Sequence, residues 1–235
     1  MNNFNTNLYE TKREIINYSN KITEGLKKPT AKFIMDMLYG LSKNQSVMLS
    51  DISRALDENI KINYTIDRLS KNLEKINDEE LEIIRNNYNR AVLNEIDEEP
   101  LVLLDDSEII KKYGKKFENL CKVRDASSLK DDIYPGYHVC EATAITKKEK
   151  QPISLYSHIY STESKEFKSM NGETLKSIEY IKSIIEKKCT FVCDRGYDAN
   201  IYYEYFLKED KEVYVSHTRV ELPLYKGTIL NLVIV

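Results

Sequence analysis

Residues 98–107 read EEPLVLLDDS, and the organisation of the chain turns on them. Pro100 closes a long region of helical periodicity, because proline cannot continue a helix and restricts the residue before it. Leu101–Leu104 is a short, wholly apolar run, the pattern of a buried strand. The run delivers Asp105, Asp106 and Ser107 at its end. A domain boundary is therefore expected here, with a helical region over 1–98 and an α/β region over 99–235.

Upstream, Leu8, Ile15, Ile16, Ile22 and Leu26 suggest a first helix. Thr30 is then expected to cap a helix whose apolar face is Phe33, Ile34, Met37, Leu38 and Leu41. Ser50 or Asp51 is expected to open a short helix with Ile52, Ala55 and Leu56, followed by a turn at Asp57–Asn59. Next come Ile62, Ile66, Leu69, Leu73 and Ile76 at helical spacing, and a last helix capped by Asp78 carries Leu81, Ile84, Tyr88, Ala91 and Val92. Two short helices joined by a tight turn are the pattern of a helix-turn-helix, without its usual turn glycine. If its second helix enters a groove of DNA, the residues expected to face outward are Asn63, Thr65, Arg68, Lys71 and Lys75. The alternative is a polar solvated face on an ordinary bundle, since Asp67 and Glu74 interrupt it.

Downstream, YHVCEATAIT (137–146) and PISLYSHIYS (152–161) read as a hairpin of two strands. A helix opened by Asn171 or Thr174 carries Leu175, Ile178, Ile181 and Ile185. TFVCD (190–194) is a second buried run ending in an aspartate, followed by a helix over about 197–207 and a strand EVYVSHT. A strand, helix crossover and strand return the chain parallel, so Asp105 and Asp194 can share one edge of a sheet. Two converging carboxylates suit metal-assisted phosphoryl transfer, because Mg²⁺ or Mn²⁺ takes hard oxygen ligands. Taken singly, an aspartate after a strand is more often a turn residue or helix cap.

Composition narrows the classes. The chain has 235 residues, 35 Lys plus Arg against 38 Asp plus Glu, 7 Gly and 5 Pro, with a pI near 5.8. That excludes a collagen, and no apolar run reaches the roughly 18 residues of a membrane span. The N-terminus lacks a signal peptide's apolar stretch. Four cysteines without a CxxC pair, beside three scattered histidines, fit buried thiols in a reducing compartment. An acidic balance disfavours nucleic-acid binding through overall charge, so binding requires a local patch. Residues 1–50 hold seven basic against four acidic side chains.

The segments LVLLDDSEIIKKYGKKFENL (101–120), KKEKQPISLYSHIYSTES (147–164) and TFVCDRGYDANIYYEYFL (190–207) resemble the DDE transposases of bacterial insertion sequences. The likeness covers roughly residues 100–218, and the preceding helices are similar to that family's N-terminal DNA-binding region. It implies a fold of α plus α/β class, in which a ribonuclease-H-like mixed sheet carries two Asp and one Glu that bind Mg²⁺. By the resemblance, Asp194 of the Asp-Arg-Gly motif matches the second acid, with Arg195 and Gly196 supporting the turn. Asp105 matches the first, with Ser107 two places on, and Asp106 is the alternative. The implied reaction is attack of water on the DNA backbone, then attack of the freed 3′-hydroxyl, without a covalent enzyme intermediate. Implied partners are the element's terminal inverted repeats and a second protomer in a synapse, in a cytoplasmic, nucleoid-associated setting with no membrane.

The family's third acid lies on a helix well after the second, in a Tyr, Arg, Glu context. Glu204, Glu209, Glu212 and Glu221 follow Asp194, and none has that context. The chain keeps Tyr225-Lys226-Gly227 and then runs into the apolar TILNLVIV, which reads as a truncated or frame-disrupted transposase with an incomplete catalytic domain. Competing readings are a DNA-binding regulatory remnant, or a ribonuclease-H-like nuclease whose third acid is Glu141. Lys112, Lys115 and Lys116, with Lys111, are expected either to touch phosphate or to be a solvated loop. Tyr202, Tyr203 and Tyr205 read mainly as core, and His217 as a hydrogen-bonded side chain.

Overall fold

In a computed structural model, which describes residues 2–114, 116–125, 128, 130, 132–197, 199–208 and 213–216, five helices precede a sheet. The chain divides into two compact units, Met1–Asn94 and Glu95–Val235.

The first unit holds α1 (Asn2–Ile22), α2 (Lys28–Asn44), α3 (Leu49–Leu56), α4 (Ile62–Lys75) and α5 (Asp78–Leu93). Pro29 falls within the first turn of α2, where a missing N–H costs nothing. The caps differ from expectation by one to three residues. Lys27 precedes α2, and the Thr30 hydroxyl instead donates to Glu80 at 2.8 Å. Met48 precedes α3, leaving Ser50 and Asp51 inside it. Asn77, rather than Asp78, accepts the Glu80 N–H at 2.9 Å. Phe33, Ile52 and Leu69 form the centre of the core, one from each of α2, α3 and α4. Asn87 on α5 closes the end of α1 by donating to the carbonyls of Ile22 and Glu24.

The second unit is a mixed six-stranded sheet with helices: β1 (Leu101–Ile110), β2 (Cys121–Arg124), β3 (Ile133–Ile145), β4 (Pro152–Tyr160), α6 (Met170–Ile184), β5 (Thr190–Cys193), α7 (Asn200–Lys208) and β6 (Val213–Ser216). β3 pairs antiparallel with β1, β2 and β4, whereas β5 is parallel to β1 and β6 is parallel to β5. Gly136 is the register partner of both Ile110 and Cys121, so β2 lies on the edge of β3 opposite β1.

Connection rules explain how the layers form. The crossovers β4-α6-β5 and β5-α7-β6 advance in the same direction across the sheet, and right-handed crossovers then place both helices on one face. Phe206 of α7 packs on Phe191 of β5 at 5.5 Å between rings, and the Tyr202 hydroxyl reaches Asn171 of α6 at 3.1 Å. That face is lined by the buried Val102, Leu104, Cys140, Ala142, Ala144, Phe191 and Cys193. On the other face, among the described residues, no helix covers Leu101 and Leu103, which are 52% and 38% exposed.

Candidate functional site

β1 does not stop at Leu104. Its parallel pairing with β5 ends at Leu104 and Cys193, but its antiparallel pairing with β3 continues to Ile110. Asp105 and Asp106 therefore lie within the strand rather than after it. Successive strand residues face opposite sides, so the two aspartates separate: Asp105 is exposed, on the open face with Leu103, while Asp106 turns toward the helices with Leu104.

Asp194 is the first residue beyond β5, one step past the register pair of Leu104 and Cys193. It thus follows its strand where Asp105 continues the neighbouring one, and both are exposed. A tight turn fixes it. The Gly196 N–H donates to Asp194 Oδ1 at 2.7 Å, and the Tyr197 N–H reaches the Asp194 carbonyl at 3.3 Å. A Cβ at Gly196 would stand 2.9 Å from that Oδ1, so glycine lets the carboxylate fold back over the turn. Across the sheet, Glu141 is the register partner of Asp105. Directly opposed residues share a face, and the Ser154 hydroxyl donates to Glu141 at 2.5 Å.

Beneath the open face the chemistry changes. Burial raises the carboxyl of Asp106, against the lowering effects of the Cys140 thiol and Tyr197 hydroxyl. Burial also pushes the Cys140 thiol up to about 12, with the Asp106 charge adding to it. Tyr160, Tyr197 and Cys193 are raised for the same first reason. The Cys140, Cys193, Tyr160 and Tyr197 groups therefore stay protonated at neutral pH, with the Asp106 carboxyl set among them.

Of the residues expected to face DNA, Asn63, Lys71 and Lys75 are exposed on α4. Thr65 and Arg68 are corrected: they point inward. Thr65 is 2% exposed and donates to Glu58 at 2.9 Å. Arg68 bridges Asp36 at 2.7 Å and Glu58 at 2.9 Å, because the 8% exposed Asp36 needs a cation beside it. Lys112 lies 4.1 Å over the Tyr134 ring, and Lys116 is exposed. Lys115, Glu209, Glu212, Glu221, His217 and the segment 225–235 lie outside the described residues. Glu204 is exposed on α7; Tyr202 is buried, and Tyr203 and Tyr205 are half-buried.

Among the described residues, no group of three or more His, Cys, Asp or Glu side chains could hold a metal ion, so Glu141 does not close a ligand set with the two aspartates. The donors that sit at adjacent strand positions are two carboxylates. Such a pair fits Mg²⁺, which keeps several waters and commonly uses one or two carboxylates plus phosphate oxygens. No helix among the described residues is long and apolar enough to cross a membrane. In comparison with known proteins, the chain matches no family model and no curated protein.

Proposed function

We propose that the chain is a DNA-binding protein of the DDE transposase type, with a ribonuclease-H-like second unit. Its Asp105 and Asp194 hold Mg²⁺ or Mn²⁺ against a DNA phosphate. The observation that carries this reading is the adjacency of β1 and β5 in parallel register, which sets the two aspartates one step beyond Leu104 and Cys193 on neighbouring strands. When bound, the metal supplies charge stabilisation at the phosphate and acidifies a water. The chain's own residues orient the carboxylates. β1 is held on both sides by β3 and β5, and the Gly196 N–H fixes the rotamer of Asp194.

In the first unit, α3 and α4 supply the helix-turn-helix of this reading, and Asn63, Lys71 and Lys75 supply its DNA face. Lys112 and Lys116 add phosphate contacts. Two of the family's three acids have a match, so sequence-specific binding to terminal repeats is expected to outlast cutting. The test is a nicking assay with Mg²⁺ or Mn²⁺ on DNA carrying inverted repeats. Slow or absent cutting with salt-dependent, repeat-specific binding supports the proposal, and absence of any specific DNA binding sinks it.

A further inference from the structure

Away from the paired aspartates, a cavity of about 360 Å³ opens where the end of β4 meets the first turns of α6. Its wall includes Tyr160, Phe167, His158, Glu173 and Lys176. Tyr160 is 7% exposed, and its ring lies parallel to Phe167 at 6.0 Å and 8°, and to His158 at 6.3 Å and 14°. The loop beneath is braced by the Ser161 hydroxyl, which donates to the Asn119 carbonyl.

Glu173 is the unusual member. It is 4% exposed, a carboxylate nearly withdrawn from water. Its Oε1 accepts from Lys176 at 2.7 Å. Its Oε2 stands 3.8 Å from His158 Nε2, beyond hydrogen-bond distance. Buried carboxylate oxygens are normally supplied with donors, and charge-assisted ones are the strongest. Glu118 and Glu166 also line the cavity, against Lys176 as its one ammonium. The cavity thus offers negative charge, a carboxylate oxygen with room for a further donor, and flat aromatic faces.

We propose that this cavity binds a guanidinium group. A guanidinium is planar, stacks on aromatic rings and donates in a fork that matches a carboxylate. It would donate to Glu173 Oε2 and lie against Tyr160 and Phe167. The volume falls in the lower range of small-ligand sites.

The test is calorimetric titration of the full chain with arginine amide, with citrulline amide as the neutral isostere and a Gly-Arg-Gly peptide as a second source of the group. Saturable binding of arginine amide, at least about tenfold weaker for citrulline amide and for Glu173→Gln, is expected, since a charge-assisted bond is lost in each. Tighter binding by the peptide assigns the site to an arginine side chain, and equal binding assigns it to the free small molecule. Phe167→Ala, at a half-buried loop position outside the helices and strands, guards against a Glu173→Gln chain that fails to fold and is expected to weaken binding severalfold. Absence of saturable binding to folded protein, or equal affinity for the citrulline compound, overturns the proposal.

Discussion

Asp105 and Asp106 are consecutive on one strand and face opposite sides of the sheet, the first exposed one step past the Leu104–Cys193 register pair and the second half-buried near Cys140 and Tyr197. The consequence is a division of roles. Asp105 is open to solvent, where the proposed function has it meet a metal, and Asp106 is an inner polar residue whose charge is resisted by burial.

That division has a pH signature. The raised carboxyl of folded Asp106 binds protons over a range where the unfolded chain has released them. Stability therefore falls as pH rises from the ordinary aspartate range through the raised value. Asp106→Asn is expected to flatten this part of the curve, and urea unfolding of both proteins between pH 4 and 7 checks it.

Gly196→Ala pushes a methyl group to within 2.9 Å of Asp194 Oδ1. The clash falls on a side-chain oxygen rather than on backbone, so the carboxylate is displaced while the fold remains. Mn²⁺ affinity is expected to drop by about tenfold, as for other changes in groups that orient a ligand, with the melting temperature nearly unchanged.

In the helical unit, Arg68→Ala removes the cation that Asp36 and Glu58 share and leaves Asp36 with Lys32, at 2.8 Å. A loss of roughly 1–2 kcal/mol is expected from the bonds removed, read by urea denaturation. Lys71→Ala and Lys75→Ala, both exposed, should leave stability unchanged and weaken DNA binding with a smaller salt slope. Glu58 adds a second handle. Partial burial raises its carboxyl, but bonds from Thr65 and Arg68 outweigh that and lower it. Its contribution is present above the ordinary glutamate range and disappears as pH falls through the lowered value.

Gly40→Ala tests the packing of α2 on α3. The added Cβ would stand 2.4 Å from Ile52 Cγ2 and 3.0 Å from Ile52 Cα, and the backbone cannot step aside cheaply. Overpacking of this kind costs about 1–3 kcal/mol, and thermal unfolding measures it.

How far the sequence disclosed this arrangement differs from element to element. Apolar runs marked β1 and β5, because buried strands announce themselves by composition, and two strand-like runs about the charged KKEKQ turn marked β3 and β4 as a hairpin. β2, Cys-Lys-Val-Arg, was invisible: it is four residues long and half charged, and only pairing with β3 makes it a strand. The length of β1 was missed because its second half is polar on a face no helix covers. On α4, of the expected apolar face of Ile62, Ile66, Leu69, Leu73 and Ile76, Leu69 and Ile76 reach the core while the ends at Ile62 and Leu73 turn outward. Ile62 and Leu73 are 37% and 53% exposed, while Thr65 and Leu69 are buried. The ion network of Asp36, Glu58 and Arg68 turns that helix, and no local pattern foretells a partner 32 residues away. That the strand ending at Cys193 runs parallel to β1 was legible in outline, since the β3–β4 hairpin turns the chain back to the direction of β1 and the α6 crossover keeps it. The cavity beside Glu173 was not, because its lining is drawn from segments distant in sequence.

Mn²⁺ titration of the wild-type chain beside Asp105→Asn, Asp106→Asn and Asp194→Asn tests the central claim most directly. Saturable binding that falls by at least about tenfold, roughly 1.4 kcal/mol, in the Asp105 and Asp194 variants and persists in the Asp106 variant is the predicted result. Loss in Asp106→Asn with Asp105→Asn unaffected, or no Mn²⁺ binding by the folded wild-type chain, would contradict it.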